Sequence, residues 1–270
     1  MKKTLDEKID SLPPLPQSIL ELEDFRNLDN PTTEELIKII EKDPLMITTI
    51  LRIANSSMYG FRSQVETLSR AINLLGINFT ISIAIGSVVQ NTLKSNLSAY
   101  SISNDKFIYI CALASEIINI WVSQIDKQLK IKLLMPAFLQ EIGKFIISDF
   151  IQQNKLEDKF KEELNSEKSI SDCEKEFTGL TSSKVTANIF KYWSFSPNLI
   201  LPIAYVDKIQ ECPSSFAKSA QILEITKILT DIRNPFNEKA IENAVNKAID
   251  YNFDTEILLT SIKQIKSKLK

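Results

Sequence analysis

The sequence predicts an all-α protein, and two observations support that fold class. Glycine occurs only 5 times in 270 residues, which is under about 2% where about 7% is usual. Apolar residues, mostly isoleucine and leucine, recur at helical spacing between lysine and glutamate residues along most of the chain. The 44% hydrophobic and 24% charged residues are typical of a globular protein, so the helices are expected to enclose a core.

Two helix starts are marked by capping residues early in the chain. Thr32 and Glu35 have the spacing of a capping box. Asp43 is a good N-cap and Pro44 a good first helical residue, which predicts a second helix directly after the first. The residues of that second helix expected to face the core are Leu45, Ile47, Ile50, Leu51 and Ala54.

The next segments predict helices in the middle of the protein. Gly76 is expected to end a helix over 67–75, and a further helix follows over 78–93. Polar residues and this glycine interrupt the most apolar window, 71–89, which is therefore interpreted as buried rather than membrane-spanning. The segment 105–123 carries a single apolar stripe at helical spacing.

Later helices are predicted from a proline, a second capping box and apolar spacing. Pro136 is expected to open one helix, and Ser171 with Glu174 to cap another. A helix over 182–193 should also face the core. The helix opened by Pro136 would turn inward Phe138, Leu139, Ile142, Phe145 and Ile146. Its opposite side would carry Gln140, Glu141, Lys144 and Ser148.

After Pro213 the sequence predicts three amphipathic helices, over 214–232, 237–250 and 254–269. The last two suit an antiparallel pair because only a short turn joins them. We interpret residues 208–270 as a C-terminal helical extension. Its apolar stripes would either pack on the preceding domain or form the seam of a homodimer, and periodicity does not distinguish the two.

Composition excludes several kinds of site. The chain has no histidine, which removes imidazole-based zinc sites and Ser-His-Asp relays. The 5 glycines stand singly, so no phosphate-cradling or dinucleotide-binding glycine motif can be written. A net charge of -2 gives no positive field that would attract nucleic acid.

The remaining composition favours a cytoplasmic protein. Cys111, Cys173 and Cys212 are far apart, so no disulfide framework or metal-binding pair is predicted. Cys111 is expected to be a small core residue rather than a nucleophile. The residues after Lys3 contain no apolar segment of the kind that signal peptides carry.

Four motifs in the first third of the chain carry a family resemblance. They are Leu12-Pro13-Pro14-Leu15-Pro16, Ile40-x-x-Asp43-Pro44-Leu45, Leu51-x-x-Ala54-Asn55-Ser56-x-x-Tyr59 and Ala71-Ile72-x-x-Leu75-Gly76. In this order they resemble the HDOD domain of bacterial signalling proteins. Farther on, Leu139-Gln140-Glu141-Ile142-Gly143-Lys144 is similar to the HDIGK segment of the HD phosphohydrolases. Glu174-x-Glu176-x-x-Gly179 and Trp193-x-x-x-Pro197 resemble the closing motif of the HDOD family.

The resemblance implies an HD-like multi-helix domain over 11–207, after a lead-in over 1–10. The HDOD family is a relative of the HD and HD-GYP hydrolases that generally lacks their metal ligands. This chain has Gln140 and Glu141 where active relatives carry His-Asp, and Ser182 in place of a later histidine. The resemblance therefore implies a protein that is not an enzyme and has no metal or other cofactor.

Two functions are compatible with this resemblance. The first is a non-enzymatic module of bacterial signal transduction that acts by binding an unidentified signalling protein, in motility, stress or second-messenger control. The alternative is a sensor that binds a nucleotide or cyclic dinucleotide in the degenerate HD pocket without turnover. The basic groups nominated for that ligand are Lys144, with Lys184 or Lys191.

The resemblance nominates two groups of site residues. The degenerate pocket would be formed by Gln140, Glu141, Lys144, Ser182 and Asp207. Taken alone, Glu141 and Lys144 have the spacing of an ordinary surface ion pair, which is the first interpretation of these residues. A pocket is the second interpretation. The candidates for a partner surface are Asn55, Ser56 and Tyr59.

Asn55 and the proline-rich segment also have structural interpretations. Asn55 would most simply satisfy backbone groups at a helix end, whereas an exposed Tyr59 could anchor a partner. The segment Leu12–Pro16 would either pack on the first helices or serve as a polyproline ligand for another protein.

Overall fold

The computed structural model describes residues 4–60 and 63–269, and helices are the only regular secondary structure in these two ranges. The α-helices are α1 Leu5–Asp10, α2 Gln17–Arg26, α3 Thr33–Ile40, α4 Pro44–Ala54, α5 Leu68–Leu75, α6 Ile77–Thr92, α7 Asn104–Trp121, α8 Lys127–Leu139, α9 Lys144–Gln153, α10 Glu157–Leu164, α11 Ile170–Thr178, α12 Ser182–Tyr192, α13 Pro197–Ala204, α14 Ser214–Leu229, α15 Glu238–Asp250 and α16 Thr255–Lys268. Short 3₁₀ helices occupy Ser98–Tyr100, Val122–Gln124 and Ile209–Glu211. The predicted all-α fold class is confirmed.

Helices α6, α7 and α8 form the centre of the protein. α8 packs against both α6 and α7, and α4 covers another side of α6. Every residue of α6 from Phe79 to Val89 is buried. The apolar residues predicted to face the core, from Phe107 to Trp121, are buried, and α7 is also buried on most of its other faces. A helix enclosed on several sides has to be apolar on several faces.

The apolarity of the central helices is explained by burial inside the protein. The segment Asn104–Gln124 is long and apolar enough to cross a membrane, but 78% of its apolar window is buried in the fold. α5 and α6 are also apolar, and the chain bends by 116° between them. Gly76 at this bend has φ +83°, a conformation that side chains with a Cβ rarely adopt.

The two caps predicted early in the chain are where the sequence places them. Thr32 accepts a hydrogen bond from the backbone of Glu35, whose carboxylate accepts one from the backbone of Thr32. Asp43 caps α4 by accepting from the Leu45 backbone at 2.9 Å. These contacts involve neighbours in sequence, which is why local patterns are sufficient to predict them.

The inward face of α4 differs from the prediction. Leu45, Ile47 and Leu51 are only half-buried. The fully enclosed residues of α4 are Met46, Thr49, Ile50, Ile53 and Ala54. α4 contacts both α5 and α6. Because two helices cover it, the buried face of α4 is shifted by about one residue from the apolar stripe in its sequence.

The helix expected to begin at Pro136 begins earlier. Asp126 caps α8 by accepting hydrogen bonds from the backbones of Gln128 and Leu129 at 2.8 and 3.0 Å. Pro136 lies inside α8, which ends at Leu139. A proline inside a helix removes one backbone hydrogen bond, and packing can outweigh this loss. The predicted long helix is therefore two helices, α8 and α9, joined by a turn at residues 140–143.

The three predicted C-terminal helices are present and pack on the rest of the chain. α14 contacts α7, α8 and α13, and α16 contacts α7. The ring of Phe253 lies 5.6 Å from that of Trp121. The buried residues of α16 are Leu258, Ser261, Ile262 and Ile265. The apolar stripe of α16 is thus covered within one chain, and a homodimer through these helices stays a prediction.

The proline-rich segment near the N-terminus is bound by the chain's own aromatic residues. The Tyr192 hydroxyl donates to the Leu12 carbonyl at 3.0 Å, and the Trp193 indole donates to the Pro13 carbonyl at 2.9 Å. Leu12 and Leu15 pack against the core. These contacts favour the interpretation in which the segment packs on its own domain.

We predict that Trp193→Phe lowers the free energy of unfolding by about 1 kcal/mol, because it removes a part-buried hydrogen bond while keeping an aromatic ring. Urea denaturation followed by circular dichroism measures the change. Tyr192→Phe is the matched control. Its side chain is 42% exposed, so water can replace its bond, and the expected loss is smaller. An equal loss in both variants would contradict the assignment.

Candidate functional site

The turn between α8 and α9 is fixed against α12 by a glycine and a threonine. The Gly143 backbone donates to Thr186 Oγ1 at 2.8 Å, and Thr186 Oγ1 lies 3.0 Å from the Gln140 carbonyl oxygen. A Cβ atom on Gly143 would come within 2.8 Å of the Thr186 nitrogen. Only glycine permits this approach, which brings Glu141 and Lys144 to the start of α12.

Lys144 lies at the centre of a buried ionic cluster. Its Nζ is 2.6 Å from Glu174 Oε1, 2.8 Å from Glu141 Oε2 and 3.2 Å from Ser182 Oγ. It also lies 5.0 Å from the centre of the Tyr100 ring. The side chain of Lys144 is completely buried. The interpretation of Glu141 and Lys144 as an ordinary surface pair on the outer side of a helix is therefore wrong.

Glu174 is a member of this cluster and not a capping residue. It accepts hydrogen bonds from the Tyr100 hydroxyl at 2.9 Å and from the Ser182 backbone at 2.6 Å. The N-cap of α11 is Ser169, which accepts from the Asp172 backbone at 3.1 Å. The expected capping box of Ser171 and Glu174 is thus wrong, because the true N-cap lies two residues earlier and leaves Glu174 free to turn inward.

Lys227 of α14 completes the cluster from the C-terminal extension. Its Nζ lies 3.0 Å from Asp207 Oδ1 and 3.5 Å from Glu141 Oε1. It also donates to Ser171 Oγ at 3.0 Å and to Ser183 Oγ at 2.8 Å. The sequence analysis did not identify Lys227, because nothing in the periodicity of α14 distinguishes it from a solvent-facing lysine.

We call the group formed by Glu141, Lys144, Glu174, Asp207 and Lys227 the ionic cluster. Three of the five predicted pocket residues, Glu141, Lys144 and Asp207, belong to the cluster. A fourth, Ser182, contacts it by donating to Glu141 Oε1 at 3.1 Å. Gln140 is buried but stands apart, and its side-chain amide has no hydrogen-bond partner among the described residues. The other nominated lysines, Lys184 and Lys191, are exposed.

Mutual attraction keeps the members of the cluster charged. Burial alone would raise the pKa of Glu141, but Lys144 and Lys227 hold it below its usual value. Burial likewise opposes ionisation of Asp207, yet Lys227 and hydrogen bonds to Thr181 and Ser171 lower its pKa to about 2. Burial would lower the pKa values of Lys144 and Lys227, and the surrounding carboxylates raise them instead. Opposite charges at these distances outweigh desolvation.

The ionic cluster does not fit a divalent metal ion in the native chain. The chain has no histidine, and residues 4–60 and 63–269 hold no group of three or more cysteine or carboxylate side chains arranged around one metal position. Each of the three carboxylates of the cluster already pairs with an ammonium group. A metal ion would have to displace a lysine to reach them.

A wide cleft leads to the cluster from solvent. It has a volume of about 1250 Å³ and lies between the start of α12 and the extension helices α14 and α15, with Glu141, Asp207 and Lys227 among its lining residues. Lys175 and Lys184 also line this cleft. Its volume exceeds the range of about 300–1,000 Å³ typical of small-molecule sites, as expected for an open groove.

The partner-surface candidates lie on another part of the chain. Asn55 closes the α4–α5 loop through its side chain, which donates to the carbonyls of Leu51 and Val65 and accepts from the Val65 backbone, each at 2.8 Å. Its predicted role in satisfying backbone groups is therefore confirmed. Ser56 and Tyr59 are half-buried, and the ring of Tyr59 lies 6.3 Å from that of Phe79.

Tyr59 borders a small surface cavity. The cavity has a volume of about 130 Å³ and is also lined by Leu74 and Ile131. These two side chains are unusually exposed for large apolar residues, at 41% and 44%. Burial raises the pKa of Tyr59 well above its usual value, so the phenol is neutral. The structure thus makes Tyr59 the inner wall of a small cavity that is also lined by Glu116, Asn119 and Lys130, rather than an exposed anchor.

Sequence and structure comparisons identify relatives of the whole fold. The sequence profile of the HDOD domain matches residues 12–209. A virulence factor from Campylobacter jejuni has a solved structure with 28% sequence identity and a TM-score of 0.58, and the match covers 100% of both chains.

Two further solved structures share the fold at lower identity. A protein named as a phosphohydrolase from Shewanella amazonensis has 20% identity and a TM-score of 0.65, with 98% of both chains covered. A protein named for signal transduction from Marinobacter aquaeolei has 16% identity and a TM-score of 0.71, over 100% of this chain and 60% of that one.

An uncharacterized protein of Treponema pallidum is 27% identical over 95 residues, which are 33% of this chain. The match spans only 18% of that protein.

We predict that Thr186→Val lowers the free energy of unfolding by about 1–3 kcal/mol, because it leaves the buried Gly143 N–H without an acceptor. Chemical denaturation measures the loss. Thr226→Val is the matched control, since this equally buried hydroxyl bonds only to the Ile222 carbonyl of its own helix. Equal losses would show that Thr186 does not position the turn.

We predict that Asp207→Asn removes part of the acid sensitivity of the protein. Because the pKa of Asp207 is about 2 in the folded chain and 3.8 ordinarily, its ionisation stabilises the folded chain above pH 4. This contribution is lost as the pH falls from 4 to 2.

Urea denaturation between pH 2 and pH 7 tests the acid sensitivity. The amide that the substitution introduces cannot ionise, so the variant should lose less stability than the wild type between pH 4 and 2. Glu167→Gln is the control, because Glu167 is almost fully exposed in its pair with Lys239 and should leave the pH profile unchanged. A profile for Asp207→Asn that parallels the wild type would contradict the role of Asp207.

Proposed function

The chain belongs to the HDOD domain family, and on that premise we propose that it is a cytoplasmic regulatory module that binds a protein partner and catalyses no reaction. The observation that carries the proposal is the pairing of every carboxylate in the ionic cluster with a lysine of the chain. Metal-dependent hydrolysis needs carboxylates and open positions that can bind a metal and its water. In this chain the carboxylates of the ionic cluster are paired with Lys144 and Lys227, and these lysines occupy the positions that a metal and its water would need.

Other nucleophiles in the chain give no alternative route to catalysis. Cys111 is fully buried, and burial raises the pKa of its thiol well above the usual value. Cys173 and Cys212 have raised pKa values from the same cause. A thiol with a raised pKa is a weak nucleophile at neutral pH because little thiolate forms.

The surface that best fits a protein partner is the one around the small cavity, where Tyr59, Leu74 and Ile131 lie beside polar side chains. Two exposed aliphatic side chains flank a cavity of about 130 Å³. Aromatic and aliphatic side chains around a small pocket are typical of the centre of a protein interface. The name of the Marinobacter protein is consistent with a regulatory role for relatives of this fold.

The second candidate function is a ligand sensor that uses the wide cleft. Lys175 and Lys184 line it, and neither forms an ion pair within the described part of the chain. Two unpaired lysines on the wall of a cleft could attract the phosphate groups of a nucleotide. This function needs no turnover, so it is compatible with the ionic cluster.

We predict that Leu74→Glu together with Ile131→Glu lowers the recovery of a protein partner by at least tenfold, because two charges replace the exposed aliphatic side chains beside the Tyr59 cavity. Tagged chains are used to capture proteins from native cell extract, and bound proteins are quantified by mass spectrometry. Ile249→Glu is the matched control, since Ile249 is 60% exposed on α15, away from this surface.

A partner that is recovered by the wild type and by Ile249→Glu, but not by the double variant, would support the proposal. Equal recovery by all three chains would contradict this surface. If no partner is recovered, equilibrium dialysis with labelled nucleotides follows, and binding that is lost in Lys175→Ala with Lys184→Ala would favour the sensor instead.

A further inference from the structure

Helix α15 presents a polar stripe to the wide cleft. The stripe consists of Lys239, Asn243, Asn246 and Asp250, which line the cleft at the three- and four-residue spacing of one helix face. All four residues are exposed. A helix rises 1.5 Å per residue, so the stripe is about 16 Å long. An extended chain advances about 3.3 Å per residue, and the stripe therefore matches about five residues of an extended polypeptide.

Several amide groups on the walls of the cleft have no partner in the protein. Asn243 and Asn246 line it from α15, Asn165 from the α10–α11 loop and Asn234 from the α14–α15 loop. Their side-chain amides form no hydrogen bond within the part of the chain that the structure describes. An asparagine side chain offers an acceptor and two donors, which match the N–H and C=O groups of a peptide. Asparagine is also a weak helix former, so helix stability does not explain its use at two positions inside α15.

The two walls of the cleft are held together without a ligand. Arg233, in the loop between α14 and α15, donates to the carbonyls of Leu164 and Lys168 at 3.0 and 3.1 Å. These carbonyls belong to the end of α10 and to the α10–α11 loop on the opposite wall. A site that is already formed loses less conformational entropy when it binds a ligand.

The unpaired charges of the cleft differ between its walls. Lys175 and Lys184 line the domain wall, and neither forms an ion pair within the described ranges. Asp172 is the one carboxylate of that wall outside an ion pair, and it accepts from the Ser169 hydroxyl at 2.7 Å. On the α15 wall the carboxylate without an ion pair is Asp250. The domain wall is therefore the side that attracts an acidic group.

We propose that the wide cleft is a docking site for an extended segment of a partner protein that carries acidic side chains. The asparagine amides of α15 bind the main chain of this segment, and Lys175 and Lys184 attract its carboxylates. The inference goes beyond the proposed function, because it assigns a second interaction surface and does not depend on the surface around Tyr59.

Selection from random peptides tests the proposal. Peptides of about twelve residues displayed on phage are selected on the full chain, and the most enriched peptide is synthesised with a fluorescent label as the probe. The enriched peptides should contain an excess of aspartate and glutamate. In fluorescence anisotropy, Asn243→Ala together with Asn246→Ala should weaken binding of the probe at least tenfold. Thermal unfolding of this variant should not occur at a lower temperature, because alanine is the better helix former.

Recognition of the main chain is tested on the probe itself. Methylation of alternate peptide nitrogens removes the N–H donors while keeping every side chain, and it should weaken binding at least tenfold. A peptide that is held only by its side chains would keep its affinity, which would contradict the role of the asparagine amides.

Two control variants locate the binding site. Asn91→Ala removes an exposed asparagine near the end of α6, outside the lining of the cleft, and should bind the probe as the wild type does. Leu74→Glu together with Ile131→Glu should also leave binding unchanged. This second control distinguishes failure of the surface around Tyr59 from failure of the cleft.

Three results would overturn the proposal. They are the absence of any enriched peptide, enrichment without an acidic excess, and equal affinity of the probe for the wild type and the Asn243→Ala, Asn246→Ala variant. If no peptide is enriched but a labelled nucleotide binds and is lost in Lys175→Ala with Lys184→Ala, the cleft is a ligand sensor and not a docking site.

Discussion

Five charged side chains meet in the ionic cluster, two of them fully buried, and each carboxylate must be matched by a nearby cation. The desolvation of an ion costs several kcal/mol even after the protein relaxes, so an unpaired charge in this pocket would be strongly destabilising. Lys144 and Lys227 compensate Glu141, Glu174 and Asp207 at distances of 2.6–3.5 Å. Five elements must therefore keep fixed relative positions: the α8–α9 turn, α9, α11, the segment that follows α13, and α14 itself. The close approach of Gly143 to α12 is one consequence of this requirement.

The same requirement explains why the C-terminal helices are part of the fold. The ion pair of Lys227 with Asp207 holds α14 against the domain. α16 packs against α7 through apolar side chains. The cleft above the cluster is bounded on one side by the domain and on the other by α14 and α15. The carboxylates of the cluster are paired with the chain's own lysines, and the cleft beside them is open to solvent.

Local signals in the sequence were sufficient for much of the fold but not for the site. The caps at Thr32 and Asp43, the end of α5 at Gly76 and the three C-terminal helices depend on residues close in sequence. The predicted pocket residues Glu141, Lys144, Ser182 and Asp207 do lie together. Their burial, and the participation of Glu174 and Lys227, depend on contacts between helices that are far apart in the chain. The spacing of Glu141 and Lys144 is the same in a surface pair and in a buried one, so no local pattern distinguishes them.

The most direct test of the account is the exchange of the lysine ammonium protons. Nitrogen-15 NMR detects these protons only where they exchange slowly with water, and buried, hydrogen-bonded ammonium groups should be protected in this way. The account predicts one protected lysine signal near neutral pH that is missing in Lys144→Met and another that is missing in Lys227→Met. Lys8 is also buried, outside the ionic cluster, so any signal it gives should persist in both variants. Rapid exchange of the Lys144 and Lys227 protons in the wild type would contradict a buried ionic cluster.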